Sequence, residues 1–379
     1  MSFRTMRAGR PTAAGLGLML CLSLVPLDAA HGAGFASLRN PEPGRVRSFW
    51  TPERLAAARP LPAPEMSAAR IAELEGALEE APAPAAGIGS GVGSRPLPGI
   101  RPQLSHRLFE PLDAALRTEE AGVAGVFDRA SGSTGAYFTS HRLIPEEADL
   151  FYPYSTVGKI FFTIPGQSGT FYCSAAVIRL RLVVTAGGCV HAGKSPGFYG
   201  NFLFVPAYRD GNDPYSTWEW SYVVAPTTWT QGGGTLPNAA DYALIEVEDQ
   251  IYNGVLRKLG QVTGTPGYVI KKLKPNHATI VAYSSNFDLG EQQHQVDAKD
   301  FKATSTSTNT IEYGSDMRGG SQGGPLFQDF GDNPATLKLI GVLSYYPTST
   351  SIKTQGASIP DSRFTSLLTT ACNHQSGNC

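Results

Sequence analysis

The chain has 379 residues, which is enough for one large domain or for two smaller domains with additional segments. Its 31 basic and 32 acidic residues leave a formal net charge of −1, so the composition indicates no polyanionic partner such as a nucleic acid. The 42 glycines and 28 prolines favour many turns and short strands over long helices.

Residues 1–33 have the features of a secretory signal peptide. Arg4, Arg7 and Arg10 precede an apolar run over residues 13–25, and small residues follow near residue 30. The apolar run is too short to span a bilayer. We therefore predict that the chain is secreted to the extracellular or periplasmic space, that no membrane holds it after signal removal, and that it can form disulfides.

Residues 34–140 are rich in Ala, Pro and Gly, a composition that predicts a flexible linker or pro-segment. One helix is predicted over residues 65–80, because apolar residues recur there along one helical face. The helix has two interpretations. It is either a solvated or transient helix, or part of a pro-segment that aids folding or is trimmed later.

Residues 141–379 predict an all-β domain that ends in a helix. Short runs of β-branched and aromatic residues alternate with Gly and Pro turns, which is typical of an antiparallel barrel or sandwich. The predicted strands are 157–164, 171–180, 182–185, 201–205, 218–224, 243–247, 279–283, 311–313, 325–327 and 337–345. Asp361 or Ser362 is the predicted cap of the terminal helix.

Three motifs along this domain resemble those of the trypsin-like serine proteases, in particular the secreted bacterial ones. They are, in chain order, Leu182-Val-Val-Thr-Ala-Gly-Gly-Cys-Val-His191, Asp241-Tyr-Ala-Leu-Ile-Glu246 and the glycine-dense turn Met317-Arg-Gly-Gly-Ser-Gln-Gly-Gly-Pro-Leu-Phe327. The resemblance covers about residues 150 to 371. It implies two six-stranded antiparallel β-barrels of the trypsin type with a C-terminal α-helix.

The resemblance also assigns the positions of the catalytic triad. The carboxylate position is Asp241, the imidazole position immediately before Cys189 is Gly188, and the nucleophile position is Gln322. Glycine has no side chain to move a proton, and a glutamine amide is neither a useful nucleophile nor titratable near neutral pH. Losing the nucleophile or the base costs on the order of 10⁶-fold in rate, so the sequence predicts a degenerate member of the family.

Further site residues follow from the same alignment of motifs. Gly320 and Gln322 match the residues whose backbone N–H groups form the family's oxyanion hole. Asp316 matches the base of the specificity pocket, although a turn-capping aspartate is the alternative interpretation. Ser344, Tyr345 and Tyr346 lie on the strand that holds the substrate backbone in the family, and the Tyr346 phenol is placed to narrow the pocket entrance.

Four cysteines remain after removal of Cys21 with the signal peptide. Relatives in the family pair the cysteine after the imidazole position with one sixteen residues upstream, which implies a Cys173–Cys189 disulfide here. Cys372 and Cys379 are predicted to close a small C-terminal loop, with unpaired thiols as the poorer alternative. No residues have metal-ligand spacing, and neither a metal nor a cofactor is predicted.

These observations favour a secreted protease homologue that is catalytically inactive. We expect a monomer whose retained cleft binds a peptide or protein ligand as a binding or decoy protein. The alternative is an active secreted serine endopeptidase. It would use Ser321 and His191, or its natural form would carry a histidine in place of Gly188 and a serine in place of Gln322. His191 is otherwise predicted to be a surface loop residue. A third possibility is a purely structural secreted domain.

Overall fold

The computed structural model describes residues 34–62, 90–109, 137–270, 277–304, 310–347 and 353–379. The predicted signal peptide and the predicted helix over residues 65–80 lie outside these ranges. In the part of the chain that is described, no helix combines the length and the apolar character needed to cross a membrane.

The described chain is mostly β-structure. The strands are β1 Phe35–Arg39, β2 Arg59–Pro60, β3 Ser90–Gly91, β4 Phe138–Arg142, β5 Val157–Thr163, β6 Phe171–Val177, β7 Leu182–Thr185, β8 Gly200–Pro206, β9 Trp218–Pro226, β10 Ala243–Val247, β11 Gln250–Tyr252, β12 Val255–Arg257, β13 Gly267–Val269, β14 Ala278–Ala282, β15 His294–Ala298, β16 Asp300–Thr304, β17 Thr310–Gly314, β18 Pro325–Gln328, β19 Lys338–Tyr345 and β20 Thr354–Ser358. The α-helices are α1 Val46–Phe49, α2 Pro52–Ala56, α3 Thr227–Thr230, α4 Leu259–Thr263 and α5 Ser362–His374. Short 3-10 turns lie at Glu146–Leu150, Tyr154–Thr156, Gly187–Cys189 and Asp288–Gly290.

Six strands close the first barrel, in the order β9-β10-β7-β6-β5-β8 with β8 paired back onto β9. Its strands carry alternating or continuous apolar residues, and Ile160, Val183, Trp218 and Trp220 are all buried. Burial of Trp218 and Trp220 fits the closed geometry, because a barrel has one inner face that takes every second side chain.

The second sheet runs β16-β17-β20-β19-β18-β14-β15-β4, and β13 and β3 extend it beside β19. The sheet curls back on itself at Lys299. The N–H of Lys299 donates to the Tyr137 carbonyl, and its carbonyl accepts from the Gly314 N–H. Ile280, Leu326 and other apolar side chains fill the enclosed core. The predicted all-β fold with a terminal helix is confirmed.

Helix α5 follows the sheets and begins where the sequence predicts. Asp361 is its cap, since the side-chain oxygen of Asp361 accepts hydrogen bonds from the Arg363 and Phe364 N–H groups. The Phe364 ring packs edge-on against Tyr242, with ring centroids 5.4 Å apart. This contact holds the helix next to Tyr242, which directly follows Asp241 in the sequence.

The structure differs from the linker prediction over residues 34–62, which we call the N-terminal segment. Strand β1 pairs antiparallel with β9, β2 pairs parallel with β6, and between them Val46, Trp50 and Leu55 are buried. Residues 90–109 are also attached to the domain, for example through the β3–β13 pair. The apolar residues lie at irregular spacing between prolines and arginines, so their burial depends on contacts that are distant in the sequence.

Candidate active site

The glycine-dense turn before β18 is held against the first barrel by Ser174 on β6. The Ser174 Oγ donates to the Gly320 carbonyl at 2.9 Å, and the Ser174 N–H donates to the Gln322 carbonyl at 2.8 Å. Glycine is required at residue 323, because a Cβ there would lie 2.1 Å from the Thr185 Oγ1, and its φ is +80°. The turn that carries the nucleophile position is therefore fixed by contacts between the two sheets.

The predicted oxyanion-hole N–H groups are those of Gly320 and Gln322. They point away from the hydrogen bonds that the preceding carbonyls, of Gly319 and Ser321, accept. The Gly319 carbonyl accepts from the Ser285 N–H at 2.7 Å, and the Ser321 carbonyl accepts from the Gly324 N–H at 3.0 Å. Since a trans peptide places its C=O and N–H on opposite sides, the N–H groups of Gly320 and Gln322 face the other way. Neither has a protein acceptor in the described part of the chain.

Asp241 lies at the centre of the site and is buried, with 1 % of its surface exposed. Its Oδ1 accepts from the Gly188 N–H at 2.8 Å, and its Oδ2 accepts from the Ser344 hydroxyl. Burial raises the pKa of Asp241 to about 7, although hydrogen bonds from Ser344 and from the Gly187 and Gly188 N–H groups oppose the rise. The aspartate keeps a set of oriented hydrogen-bond donors although Gly188 supplies no imidazole.

Gly188 leaves a cavity of about 300 Å³ beside this carboxylate. The lining residues include Leu61, Tyr199, Trp229, Asp241, Gln322 and Ser344, together with Gly188 and His191. A Cβ at residue 188 would be 3.5 Å from the nearest Trp229 atom and 3.8 Å from the Asp241 Oδ1, which are ordinary contact distances. The backbone at the imidazole position therefore has room for a side chain.

Gln322, at the predicted nucleophile position, is 2 % exposed. Its side-chain Oε1 is buried without a hydrogen-bond partner among the described residues. A buried amide oxygen that lacks a donor costs about 1–3 kcal/mol relative to a satisfied one. The site therefore contains one acceptor that a bound ligand with an N–H group would satisfy.

The two residues considered as a substitute catalytic pair have other partners. The Ser321 Oγ donates to the Arg318 carbonyl and accepts from the Gln355 Nε2, both at 2.6 Å. The His191 Nδ1 accepts from the Gly193 N–H at 2.9 Å. These hydrogen bonds join neither Ser321 nor His191 to Asp241.

His191 also corrects the sequence prediction of a surface loop residue. It is 7 % exposed, its ring lies edge-on to Phe198, and burial lowers its pKa. Its carbonyl accepts from the Trp229 Nε1 at 2.9 Å, so the residue helps to hold the cavity wall. The local sequence around His191 is polar and glycine-rich and carries no signal of this burial.

The remaining predicted site residues lie in different environments. The Ser344 hydroxyl contacts Asp241, whereas the Tyr345 hydroxyl donates to Glu312 inside the second sheet at 2.7 Å. Burial raises the pKa of Asp316, against a hydrogen bond from Ser140 that lowers it. The Arg318 guanidinium lies over the Tyr346 ring at 5.9 Å. Asp316 and Tyr346 are thus close to one arginine, and Tyr345 faces away from the cleft.

Both predicted disulfides are present. Cys173 on β6 bonds to Cys189 next to Gly188, and Cys372 in α5 bonds to Cys379. The first disulfide ties the imidazole position to the strand that holds the nucleophile turn. Within the described ranges, no group of three or more His, Cys, Asp or Glu side chains is arranged to hold a metal ion.

The closed six-stranded barrel, the second curled sheet and the terminal helix form the fold of the trypsin-like serine proteases. The chain is similar to the protease Anisep from Arthrobacter nicotinovorans, with 28% identity, a TM-score of 0.50, and coverage of 58% of this chain and 96% of that one. This comparison confirms the predicted fold family at the level of architecture.

Two curated relatives also match. One is a glutamyl endopeptidase of Bacillus licheniformis, 26% identical over 180 residues, or 47% of this chain and 50% of the relative. The other is named an extracellular metalloprotease of Bacillus subtilis, 23% identical over 188 residues, or 49% of this chain and 55% of the relative. The chain spans about half the length of the curated relatives it matches. No protein-family model matches it.

Proposed function

We propose that this chain is a secreted, catalytically inactive homologue of the trypsin-like serine proteases, whose cleft binds a peptide or protein segment without hydrolysing it. The observation that carries the proposal is the pairing of an intact Asp241–Ser344 contact with Gly188 and Gln322 at the two positions that do the chemistry. In this proposal the Asp241–Ser344 contact remains, whereas Gly188 supplies no imidazole to carry a proton and Gln322 supplies no hydroxyl to attack a peptide bond.

Binding is supported by what the cleft still offers. The N–H groups of Gly320 and Gln322 face away from the turn and lack protein acceptors in the described ranges, so they can hold a peptide carbonyl or a carboxylate. The relative from Bacillus licheniformis is a glutamyl endopeptidase, and the proposed difference between the two proteins is the loss of hydrolysis in this chain. Secretion is supported by two disulfides and by the extracellular relative.

The test is covalent labelling of the purified protein with a fluorophosphonate probe, together with a peptidase assay on a mixed peptide library. We expect no serine adduct and no cleavage above the buffer control, while an active trypsin-like protease run in parallel is labelled. Labelling at Ser321 together with peptide cleavage would instead support the alternative, an active secreted endopeptidase, and would defeat the inactive-homologue proposal.

A further inference from the structure

The cavity next to Gly188 is lined by both polar and aromatic side chains. It is bounded on one side by the Asp241 carboxylate and on another by Gln322, and the aromatic rings of Tyr199 and Trp229 form walls. Gly188 itself is half-buried, so the cavity is reached from the cleft. Tyr199 lines the same cavity as the Asp241 carboxylate. Burial, with a smaller contribution from the Asp241 charge, raises the pKa of Tyr199 to about 12.

The donors that reach Asp241 from the protein are neutral. They are the Ser344 hydroxyl and the Gly187 and Gly188 N–H groups, and no cationic side chain of the described chain acts on this carboxylate. A buried carboxylate is stabilised most by a charged or strongly polarised donor. Gln322 adds a second acceptor, the buried Oε1, which has no hydrogen-bond partner in the described part of the chain. The site therefore presents a carboxylate whose donors are all neutral and an amide oxygen that has no donor among the described residues.

We propose that this cavity is a binding site for an imidazole group supplied from outside the chain, namely the side chain of a histidine in a bound peptide. An imidazole ring is planar and fits between aromatic walls. It carries at most two N–H donors, which point in different directions from the ring. One can donate to the Asp241 carboxylate and the other to the Gln322 Oε1. A guanidinium has five donors and an ammonium has three, so either would leave donors unsatisfied among these acceptors.

The other charged and polar groups on the lining do not oppose this assignment. Lys194 is exposed and solvated, and His191 has its Nδ1 committed to the Gly193 N–H. Leu61 of the N-terminal segment closes one edge of the cavity with an apolar surface. The inference rests on the proposed function, because a cleft that binds peptide without cleaving it is what would deliver the histidine.

The test is a titration of the full chain with imidazole, followed by NMR or calorimetry, with thiazole as a ring of the same shape that lacks an N–H. We expect saturable binding of imidazole and at least tenfold weaker binding of thiazole. Gly188→His, which fills the cavity from the backbone, should abolish imidazole binding. Gly188→Ala is the matched control, because its Cβ meets only ordinary contacts, and it should retain binding.

Two further variants keep the test independent of how Gly188→His folds. Asp241→Asn and Gln322→Leu each remove one of the two acceptors, and each should weaken imidazole binding about tenfold, the effect of losing one good hydrogen bond. A capped histidine tripeptide should bind more tightly than its phenylalanine counterpart, and excess imidazole should compete with it.

The proposal is overturned if imidazole binds no better than thiazole, or if both acceptor variants bind imidazole as tightly as the natural chain. These outcomes differ from failure of the proposed function. Peptides that bind regardless of histidine would leave the inactive-homologue proposal intact and remove only the imidazole site. A fluorophosphonate adduct at Ser321 would remove the proposed function whatever imidazole does.

Discussion

Gly188 and Gln322 stand at the predicted imidazole and nucleophile positions, so the proposed function treats them as the two residues that separate this site from a working triad. The surrounding geometry allows both to be replaced. A Cβ at residue 188 has room beside Asp241, and the oxyanion-hole N–H groups do not depend on the side chain of residue 322. We predict that Gly188→His combined with Gln322→Ser gives measurable peptide hydrolysis. The rate should exceed that of either single variant by at least about 10²-fold, the usual contribution of one general base.

The single variants are the controls for this prediction, because the nucleophile and the base act as a unit. Each should stay at the background rate in a chromogenic or mixed-peptide assay. Far-ultraviolet circular dichroism and thermal unfolding establish that all three variants are folded. A folded double variant without activity would show that the cleft has changed in other ways than at these two residues.

Asp241 also predicts a pH dependence of stability. Its pKa in the folded protein is raised to about 7 by burial, whereas an unfolded aspartate has a pKa of about 3.9. From about pH 4 to about pH 7 the folded state keeps a proton that the unfolded state has lost. The free energy of unfolding should therefore fall as the pH rises through this window, by up to about 4 kcal/mol, and level off above pH 7.

The matched control is Asp241→Asn, which cannot titrate but has nearly the same shape. Denaturant unfolding of both proteins between pH 4 and pH 8 gives the difference that belongs to Asp241. Asp149, whose pKa burial also raises to about 7, is present in both proteins and cancels. A difference that is constant over this pH range would contradict the prediction.

At the scale of elements, the strands that the sequence predicts correctly are short apolar runs rich in β-branched residues. β7 and β10 have the predicted bounds, because runs such as Leu182-Val-Val-Thr185 are apolar, β-branched and bounded by turn residues. β20 was not predicted, since Thr354-Gln-Gly-Ala-Ser358 is polar and small. It becomes a strand because β17 and β19 flank it on both sides, and that pairing has no trace in the local sequence.

The candidate site likewise contains residues that a local sequence motif predicts and residues that only contacts between distant segments bring into place. Asp241, Gly188 and Gln322 were placed by motifs that are contiguous in the sequence, and they lie around one cavity. Leu61 and Trp229 also line it, but neither belongs to a motif. Leu61 arrives through the N-terminal segment, where the Leu61 N–H donates to the Tyr172 carbonyl at 3.0 Å. Such contacts between distant segments depend on the completed fold.

The N-terminal segment yields a prediction about its own role. Trp50 is 6 % exposed, its Nε1 donates to the Asn201 carbonyl at 2.7 Å, and its ring contacts Phe161 of the first barrel. We predict that Trp50→Ala lowers the free energy of unfolding by about 3–5 kcal/mol, the usual cost of emptying a buried aromatic site.

Leu38 on β1 supplies the control for Trp50, because it belongs to the same segment and is 37 % exposed. Leu38→Ala should change the free energy of unfolding by no more than about 0.5 kcal/mol. Both values come from urea unfolding monitored by far-ultraviolet circular dichroism. Equal, small effects of the two variants would mean that the segment behaves as the flexible linker that its composition predicts.

At the scale of the whole molecule, a buried ion pair joins β5 of the first barrel to the turn that precedes β15 of the second sheet. Lys159 on β5 is 2 % exposed, and its Nζ donates to the Glu291 Oε1 at 2.8 Å. The ammonium also lies over the rings of Tyr172 and Tyr208, at 4.1 and 4.5 Å from their centroids. The Tyr208 hydroxyl donates to the second oxygen of Glu291, so this one carboxylate contacts both Lys159 on β5 and Tyr208 just after β8.

Because burial lowers the pKa of Lys159 while Glu291 opposes that shift, the lysine depends on this carboxylate to stay charged. We predict that Lys159→Met lowers the free energy of unfolding by about 3–5 kcal/mol, since it leaves the Glu291 charge largely buried without its cation. Lys159→Met with Glu291→Gln removes both charges and should cost less than the sum of the two single variants. A double-mutant cycle by urea unfolding measures this coupling. Strictly additive losses would show that Lys159 and Glu291 are not energetically coupled and would contradict the prediction.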